Sequence, residues 1–274
     1  MLLDCVVTAV NENPLYLEFI PIFIETWKLL YPEVDAKIIL IGEKIPDEYI
    51  HWEKHIILFE PIEGVSTVFT SQYIRLLYPC IMNYENGVLI TDIDMLPMNR
   101  TYYTENIKSY DNTKFIYYGE PPRIDKQIFM CYNVAVPGVW RDIFGVHSVE
   151  DVREHLKRAQ NRDVDRGVRE EIRKTHGVDA EWFNDQFTLY EKVMEWQAHT
   201  NNFVSLKKSD TGFRRLDRNT FHLNDPNLCR AIAHGVFSDY HCYRPMAKYR
   251  EINNHIFKLL TFGGRPQNST QGPN

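Results

Sequence analysis

A chain of 274 residues, 44% of them hydrophobic, is long enough for one large α/β domain with a sizeable core. Its formal net charge of −6 suits solubility and argues against the basic face or stripe of a nucleic-acid binder. No apolar run approaches the ~20 residues that span a bilayer. The five cysteines, Cys5, Cys80, Cys131, Cys229 and Cys242, form no C-x-x-C pair, so a zinc site or a disulfide framework is not expected. They read as reduced thiols in a reducing, cytoplasmic compartment. The 16 Tyr and 15 Phe read mainly as packing, with a few exposed rings near a site.

Residues 1–10, MLLDCVVTAV, lack a basic segment ahead of the apolar run and read as a first strand, not a signal peptide. The run is broken only by Asp4 and Thr8, as in a strand buried on both faces of a parallel sheet. After the turn Asn11-Glu12-Asn13-Pro14, residues 15–30 read as a helix with Pro21 in its first turns. Residues 37–41 form a second strand ended by Gly42, and 55–59 a third. Ser66 has the chemistry of an N-cap opening a helix to about residue 82. Residues 87–91, GVLIT, are a fourth strand. This alternation predicts a parallel sheet with helices on its faces.

Beyond residue 110 the pattern changes. Residues 114–118 and 129–136 read as strands with no clear helix between them. The stretch 149–174, rich in Arg and Glu, reads as one or two helices with a solvated face. Residues 182–196 read as an amphipathic helix, 203–206 and 220–223 as short strands, and 246–260 as a last helix. The polar, Gly/Pro-rich residues 263–274 are expected to be disordered, leaving 1–262 as the domain. Two N-x-S/T sequons, at Asn99 and Asn268, read as chance matches.

The segment VLITDIDMLPM, residues 88–98, carries the most chemistry. A buried strand runs straight into Asp92 and Asp94. Ligand sites in open α/β sheets form beyond the carboxyl ends of the strands. Side chains at i and i+2 of an extended segment share a face, so both carboxylates can face one cleft. Paired anionic oxygens repel and invite a hard cation, Mn²⁺ or Mg²⁺, which can also hold phosphate oxygens. A second D-x-D, Asp163 and Asp165, lies between Arg162 and Arg166 and reads as a solvated charge run. Gln72 and Arg75 are one helical turn apart and share a face. Arg75 in an apolar helix calls for an anionic partner, an Asp of the motif or a phosphate.

Residues 66–98, STVFTSQYIRLLYPCIMNYENGVLITDIDMLPM, resemble the region of GT-A glycosyltransferases in which an Arg-bearing helix precedes the D-x-D strand. The chain is similar to small glycosyltransferases of large algal viruses and to the lipopolysaccharide galactosyltransferase and glycogenin-like group. The resemblance implies an α/β, GT-A (Rossmann-like) single domain with a mixed, mostly parallel central sheet flanked by helices. It implies transfer of a sugar from a nucleotide-sugar, a UDP-sugar, to a glycan or glycoprotein hydroxyl with Mn²⁺ or Mg²⁺.

The resemblance also places residues. Thr8, Ala9 and Val10 match the strand end that holds base and ribose. Gln72, Arg75, Asp92, Ile93 and Asp94 fall on the donor side, with Asp92 and Asp94 at the metal. In MCYNVAVPG, Asn133 matches the residue that faces the sugar, although Val134 stands where a small residue is usual. In EWFNDQF, Asp185 and Gln186 match the family's acidic motif, and Asp185 is the catalytic candidate. In HGVFSDYHCYRP, His241 matches the third metal ligand, with His234 and His222 as alternatives. Retention or inversion of configuration stays open.

Three rivals follow from the same residues. A haloacid-dehalogenase-like phosphatase ends its first strand in D-x-D, whereas several strand units precede the motif here. A metal-dependent nucleotidyltransferase would show a Gly-rich basic loop, and TAVNENP has neither property. A nucleotide-sugar-binding protein without activity would keep the fold, but Asp92, Asp94, Arg75 and Asp185 together favour an enzyme.

Overall fold

A computed structural model describes residues 1–122, 126–160, 183–212, 214–218 and 225–263. The second D-x-D, the strand expected at 220–223, the distal part of the charged stretch, His222 and nearly all of the expected tail lie outside these residues.

The strands are β1 (Leu3–Asn11), β2 (Asp35–Ile41), β3 (Ile56–Phe59), β4 (Gly87–Ile90), β5 (Met95–Pro97), β6 (Phe115–Tyr117), β7 (Asn133–Ala135), β8 (Phe203–Ser205), β9 (Arg214–Asp217) and β10 (Phe237–His241). Seven build the central sheet in the order β3-β2-β1-β4-β7-β6-β8. The first four run parallel. β7 is antiparallel to β4 and β6, and β8 runs parallel to β6. The fold is therefore α/β, with a mixed, mostly parallel sheet flanked by helices.

Alternation along the inner strands explains why their sequence is apolar at nearly every position. Val6 and Val10 of β1, Ile38 and Leu40 of β2 and Leu89 of β4 enter one core, with Phe23, Ile24 and Trp27 of the helix Ile20–Leu30. Cys5 and Val7, Ile39 and Ile41, and Val88 and Ile90 enter the other, with Ile74 and Leu77 of the helix Thr67–Leu77 and Trp140 of the helix Pro137–Phe144. A strand covered on both faces has no position to give to polar residues. Gly87 opens β4 because a Cβ there would meet Val134 Cγ2 at 2.8 Å and the Leu2 carbonyl at 2.9 Å.

The helix expected over 15–30 is two, Pro14–Leu17 and Ile20–Leu30. Pro21 lacks the N–H that would bond back to Leu17, so the chain restarts there. The Ser66 hydroxyl accepts from Phe69 N at 3.5 Å and opens Thr67–Leu77, which gives way to a 3₁₀ turn, Tyr78–Ile81, containing Pro79. The strand expected over 129–136 narrows to β7, because Phe129, Met130 and Cys131 form part of the cavity wall.

A second sheet, β5-β10-β9, was not expected from the sequence. β10 runs antiparallel to β5, with His241 opposite Met95, and parallel to β9, with His241 opposite Asp217. Asn99 ties the sheet together: its Nδ2 donates to the Phe237 carbonyl at 2.6 Å, and its Oδ1 accepts from Thr101 N at 3.0 Å and Tyr102 N at 2.7 Å. None of the described helices is long and apolar enough to cross a membrane.

Candidate functional site

β1 leads to β2 and β3 on one side of the sheet, and the chain then returns to place β4 on the other side of β1. The strand order reverses between β1 and β4, and a crevice opens at such a point beyond the carboxyl ends. A cavity of about 390 Å³ lies there. Its walls include Ala9, Val10 and Asn11 from the end of β1, and Asp92, Ile93 and Asp94 beyond β4. Gln72 and Arg75 come from the helix Thr67–Leu77, Asp185 and Gln186 from the first turn of Asn184–Thr200, and His241 from β10. Of the twelve residue positions the sequence singles out, ten line this one space.

Thr8 and Asn133 do not line it. Thr8 sits one residue further back in β1, fully buried, with its hydroxyl unpartnered. Asn133, in β7 opposite Ile90, donates from Nδ2 to the carbonyls of Phe129 at 2.7 Å and Met130 at 3.3 Å. It holds the turn that carries Phe129, Met130 and Cys131 to the cavity wall, and its side chain does not face the space. His234 caps the helix Pro226–Ala233 in a separate, shallow groove with Asn99 and Arg100.

Two ion clusters organise the cavity. In the first, the guanidinium of Arg75 bridges two acids. Its Nη1 makes a short bond to Asp92 Oδ1, and its Nη2 lies 3.5 Å from Asp185 Oδ2. The Thr91 and Gln72 carbonyls accept from Nη1 and Nε at 3.2 Å each, so the fork is fixed from four directions. Asp185 and Arg75 are buried, while Asp92 is more than a third exposed. Burial pushes the Asp185 carboxyl up to about 7, against the opposing pull of Arg75, and the Asp92 charge adds to the rise. A carboxyl that titrates near neutrality beside a cavity has the property a general base needs.

In the second cluster, three cationic side chains surround Asp94 Oδ2: Arg244 Nε at 3.2 Å, His241 Nε2 at 3.4 Å and Arg218 Nη1 at 3.5 Å. Burial acts to raise the Asp94 carboxyl, but the His241 bond and the charges of Arg244, His241 and Arg218 outweigh it and hold it below the usual carboxylate range. On the far side of the imidazole, His241 Nδ1 lies 3.5 Å from Asp217 Oδ2. Such a carboxylate on the outer nitrogen orients a histidine and fixes its tautomer.

The donor set permits a cation of a particular kind. Asp94 Oδ2 is buried, and His241 Nε2 faces it at 3.4 Å. Among the described residues there is no cluster of three or more His, Cys, Asp or Glu side chains that could hold a metal alone. Asp92 is turned to Arg75. Two protein donors fit Mn²⁺ or Mg²⁺ only where phosphate oxygens and water complete the shell.

The sequence reading did not single out Arg244, Arg218, Asp217, Tyr16 or Phe129. Arg244 Nη1 donates to the Tyr16 hydroxyl at 2.5 Å, and its guanidinium lies 5.1 Å from that ring's centre. Arg218 Nη1 donates to the Cys242 carbonyl at 2.6 Å. Phe129 is 53% exposed at the cavity edge, and Val68 is likewise exposed. The proximity of Arg244 to His241, three residues before it, was the available signal. Asp217 ends, and Arg218 follows, a strand with no apolar alternation to reveal it.

No family model matches this chain, and no curated protein matches it. Among solved structures it is similar to the galactosyltransferase LgtC in complex with donor and acceptor sugar analogs, at 11% identity and a TM-score of 0.48, covering 96% of this chain and 98% of that one. An active-site mutant of LgtC gives 10% identity and a TM-score of 0.49 over 96% and 98% of the two chains. The glycosyltransferase GlyE of Streptococcus pneumoniae TIGR4 gives 12% and 0.48, covering 97% of this chain and 61% of that one. These neighbours are glycosyltransferases. At such identities and scores the likeness does not carry over what this chain binds or does.

Proposed function

We propose that this chain is a GT-A glycosyltransferase that uses Mn²⁺ or Mg²⁺ to transfer a sugar from a nucleotide-sugar, a UDP-sugar, to a hydroxyl of a glycan. The observation that carries the reading is the meeting of Asp94 with His241, and of Arg75 with Asp92 and Asp185, around one cavity at the strand-order reversal. A cation there would be held by Asp94 and His241 and would neutralise charge on the diphosphate.

The chain's own residues divide the work. Ala9, Val10 and Asn11 form the strand end against which base and ribose lie, with the Tyr16 ring beside them. Arg244 lines the cavity next to Asp94 and meets the diphosphate, since a guanidinium makes fork-like contacts with phosphate oxygens. Arg75 holds Asp92 and Asp185 in fixed positions and does not itself need to touch the donor. The exposed ring of Phe129 gives the acceptor an apolar face at the cavity edge. Gln186 Oε1, buried without a partner, is an acceptor for a sugar hydroxyl.

Asp185 acts on the sugar. In an inverting reaction it takes the proton from the acceptor hydroxyl. In a retaining reaction its carboxylate orients the sugar and stabilises positive charge at the anomeric carbon. The testing experiment is a panel of nucleotide-sugars, read by thermal stabilisation and by metal-dependent release of nucleoside diphosphate. One UDP-sugar should stabilise the protein and be hydrolysed slowly with Mn²⁺, and chelator should abolish both. Stabilisation without turnover on any acceptor would leave a binding protein, and no response to any nucleotide-sugar would end the reading.

A further inference from the structure

The three cations around Asp94 are not held alike. His241 lies between two acids, Asp94 and Asp217, and its backbone, at the end of β10, is paired on one side with Met95 and on the other with Asp217. Arg218 is bonded to the backbone carbonyl of Cys242 and does not line the cavity. Arg244 does line it, and its other partner, the Tyr16 hydroxyl, also belongs to the cavity wall. Arg244 is therefore the guanidinium that can change partners without disturbing the second sheet.

Asp94, whose Oδ2 is buried, also belongs to the cavity wall where the proposed cation would sit. A divalent ion bound to this oxygen and a guanidinium 3.2 Å from it repel strongly, because little water screens them. The two occupy Asp94 comfortably only if Arg244 turns away. Turning away leaves its charge unpaired unless an anion receives it. A diphosphate beside the ion is such an anion.

We propose that Arg244 exchanges partners, leaving Asp94 for the diphosphate as the cation arrives, so that the site takes cation and diphosphate together and discriminates against either alone. This rests on the cation–nucleotide reading above. The coupling is reciprocal: whatever factor UDP adds to cation affinity, the cation adds to UDP affinity. The scarcity of protein donors acts in the same direction, since Asp94 and His241 do not form a cage by themselves.

Calorimetry with Mn²⁺ alone, UDP alone and Mn²⁺ with saturating UDP tests the exchange. In the wild type, UDP should tighten Mn²⁺ binding by about tenfold or more. In Arg244→Gln the unassisted Mn²⁺ affinity should rise, on the order of tenfold, while the gain from adding UDP shrinks. Removing a positive charge next to any cation site would raise affinity, so the shrunken gain is the decisive reading. Arg244→Lys, which keeps the charge and serves if the Gln variant does not fold, should stay near wild type in both. A Gln or Ala variant whose unassisted affinity does not rise, or whose UDP gain is unchanged, overturns the exchange and leaves the cation–nucleotide reading intact. A wild type that takes no Mn²⁺ even with UDP overturns both.

Discussion

The two sheets of this molecule contribute to the cavity by different routes. The central sheet supplies Asp92 and Asp94 at the end of a strand covered by helices on both faces. The small sheet supplies His241 to the cavity wall, backed by Asp217 at the end of β9 and by Arg218 just beyond it, and β10 pairs with β5 across more than a hundred positions in sequence. Packing fixes the first set: β1, β2 and β4 are apolar on both faces, and their register follows from helices they could not leave without exposing core. Polar contacts fix much of the second, such as Asp239 with Arg215 at 2.6 Å and Asn99 with the Phe237 carbonyl. The comparison teaches that the chemistry is positioned jointly, with a rigid half presenting carboxylates and a polar half presenting their cationic partners.

Mutations at the junction of the two halves should have the largest effect. Asp94→Asn keeps the shape but removes the charge shared by His241, Arg244 and Arg218. A loss on the order of 10⁴-fold in kcat/KM is expected, from several kcal/mol of lost charge stabilisation. Circular dichroism must show a folded protein, and a variant within tenfold of wild type would separate the halves functionally.

Asp185→Asn, in the helix that packs against Thr67–Leu77 and Pro137–Phe144, should lower kcat on the order of 10³-fold while UDP binding by calorimetry changes little. With its carboxyl raised to about 7, a base role makes the wild-type rate climb about tenfold per pH unit below that value and level off above it. The same shift acts on stability with a definite sign. The folded state holds the proton more tightly than the unfolded state, so this group's contribution is full below the unfolded value, 3.8, and is lost as pH rises to about 7. Both the rate inflection and the stability slope should vanish in the Asn variant; a flat wild-type profile would remove the base role.

Asp217→Asn touches only the polar half. It should weaken Mn²⁺ binding in the presence of UDP by about 10–100-fold by releasing the His241 ring, with Tm little changed. Equal metal affinity would show that β9 is only a scaffold. The smallest effect on catalysis should come from the middle of the parallel half. Ile38→Ala should cost about 3 kcal/mol of stability in denaturant unfolding and leave kcat at a permissive temperature unchanged. A large kcat loss there would mean that the cavity is sensitive to packing in the strand beside β1.

The same contrast decides what could be read from sequence. Residues 1–91 announce their strands because two-faced burial leaves only apolar positions, and Asp92 and Asp94 stand out against that background. The direction of Arg75 toward an acid was legible for the same reason: a cation in an apolar helix needs a partner, and Asp92 is that partner. β10, FSDYH, has no such pattern, and the burial of its Asp239 depends on an arginine on a different strand. Its pairing with β5 comes from contacts 140 residues apart, beyond any local signal. His241 was singled out through its sequence neighbours, whereas Asp217 and Arg218 had nothing comparable. Asn133 carried a polar side chain next to the motif strand, but its bonds to the Phe129 and Met130 carbonyls are set by a turn that only the fold reveals.

Asn99 has a consequence for how the chain can be produced. With Arg100 and Thr101 it spells an acceptor sequence for oligosaccharide attachment, yet its amide nitrogen is the atom that reaches the Phe237 carbonyl. During synthesis residue 99 leaves the ribosome well before β10 exists, so a host that threads the chain into a glycosylating lumen would offer this nitrogen to its transferase while it is still free. A glycan placed there would occupy the position of a strand not yet made, and the cationic half of the cavity would have nowhere to assemble. Expression through a route without that machinery avoids the conflict. Where such a route cannot be used, Thr101→Ala removes the acceptor sequence and leaves every Asn99 bond in place, because Asn99 Oδ1 accepts from the backbone nitrogen of residue 101.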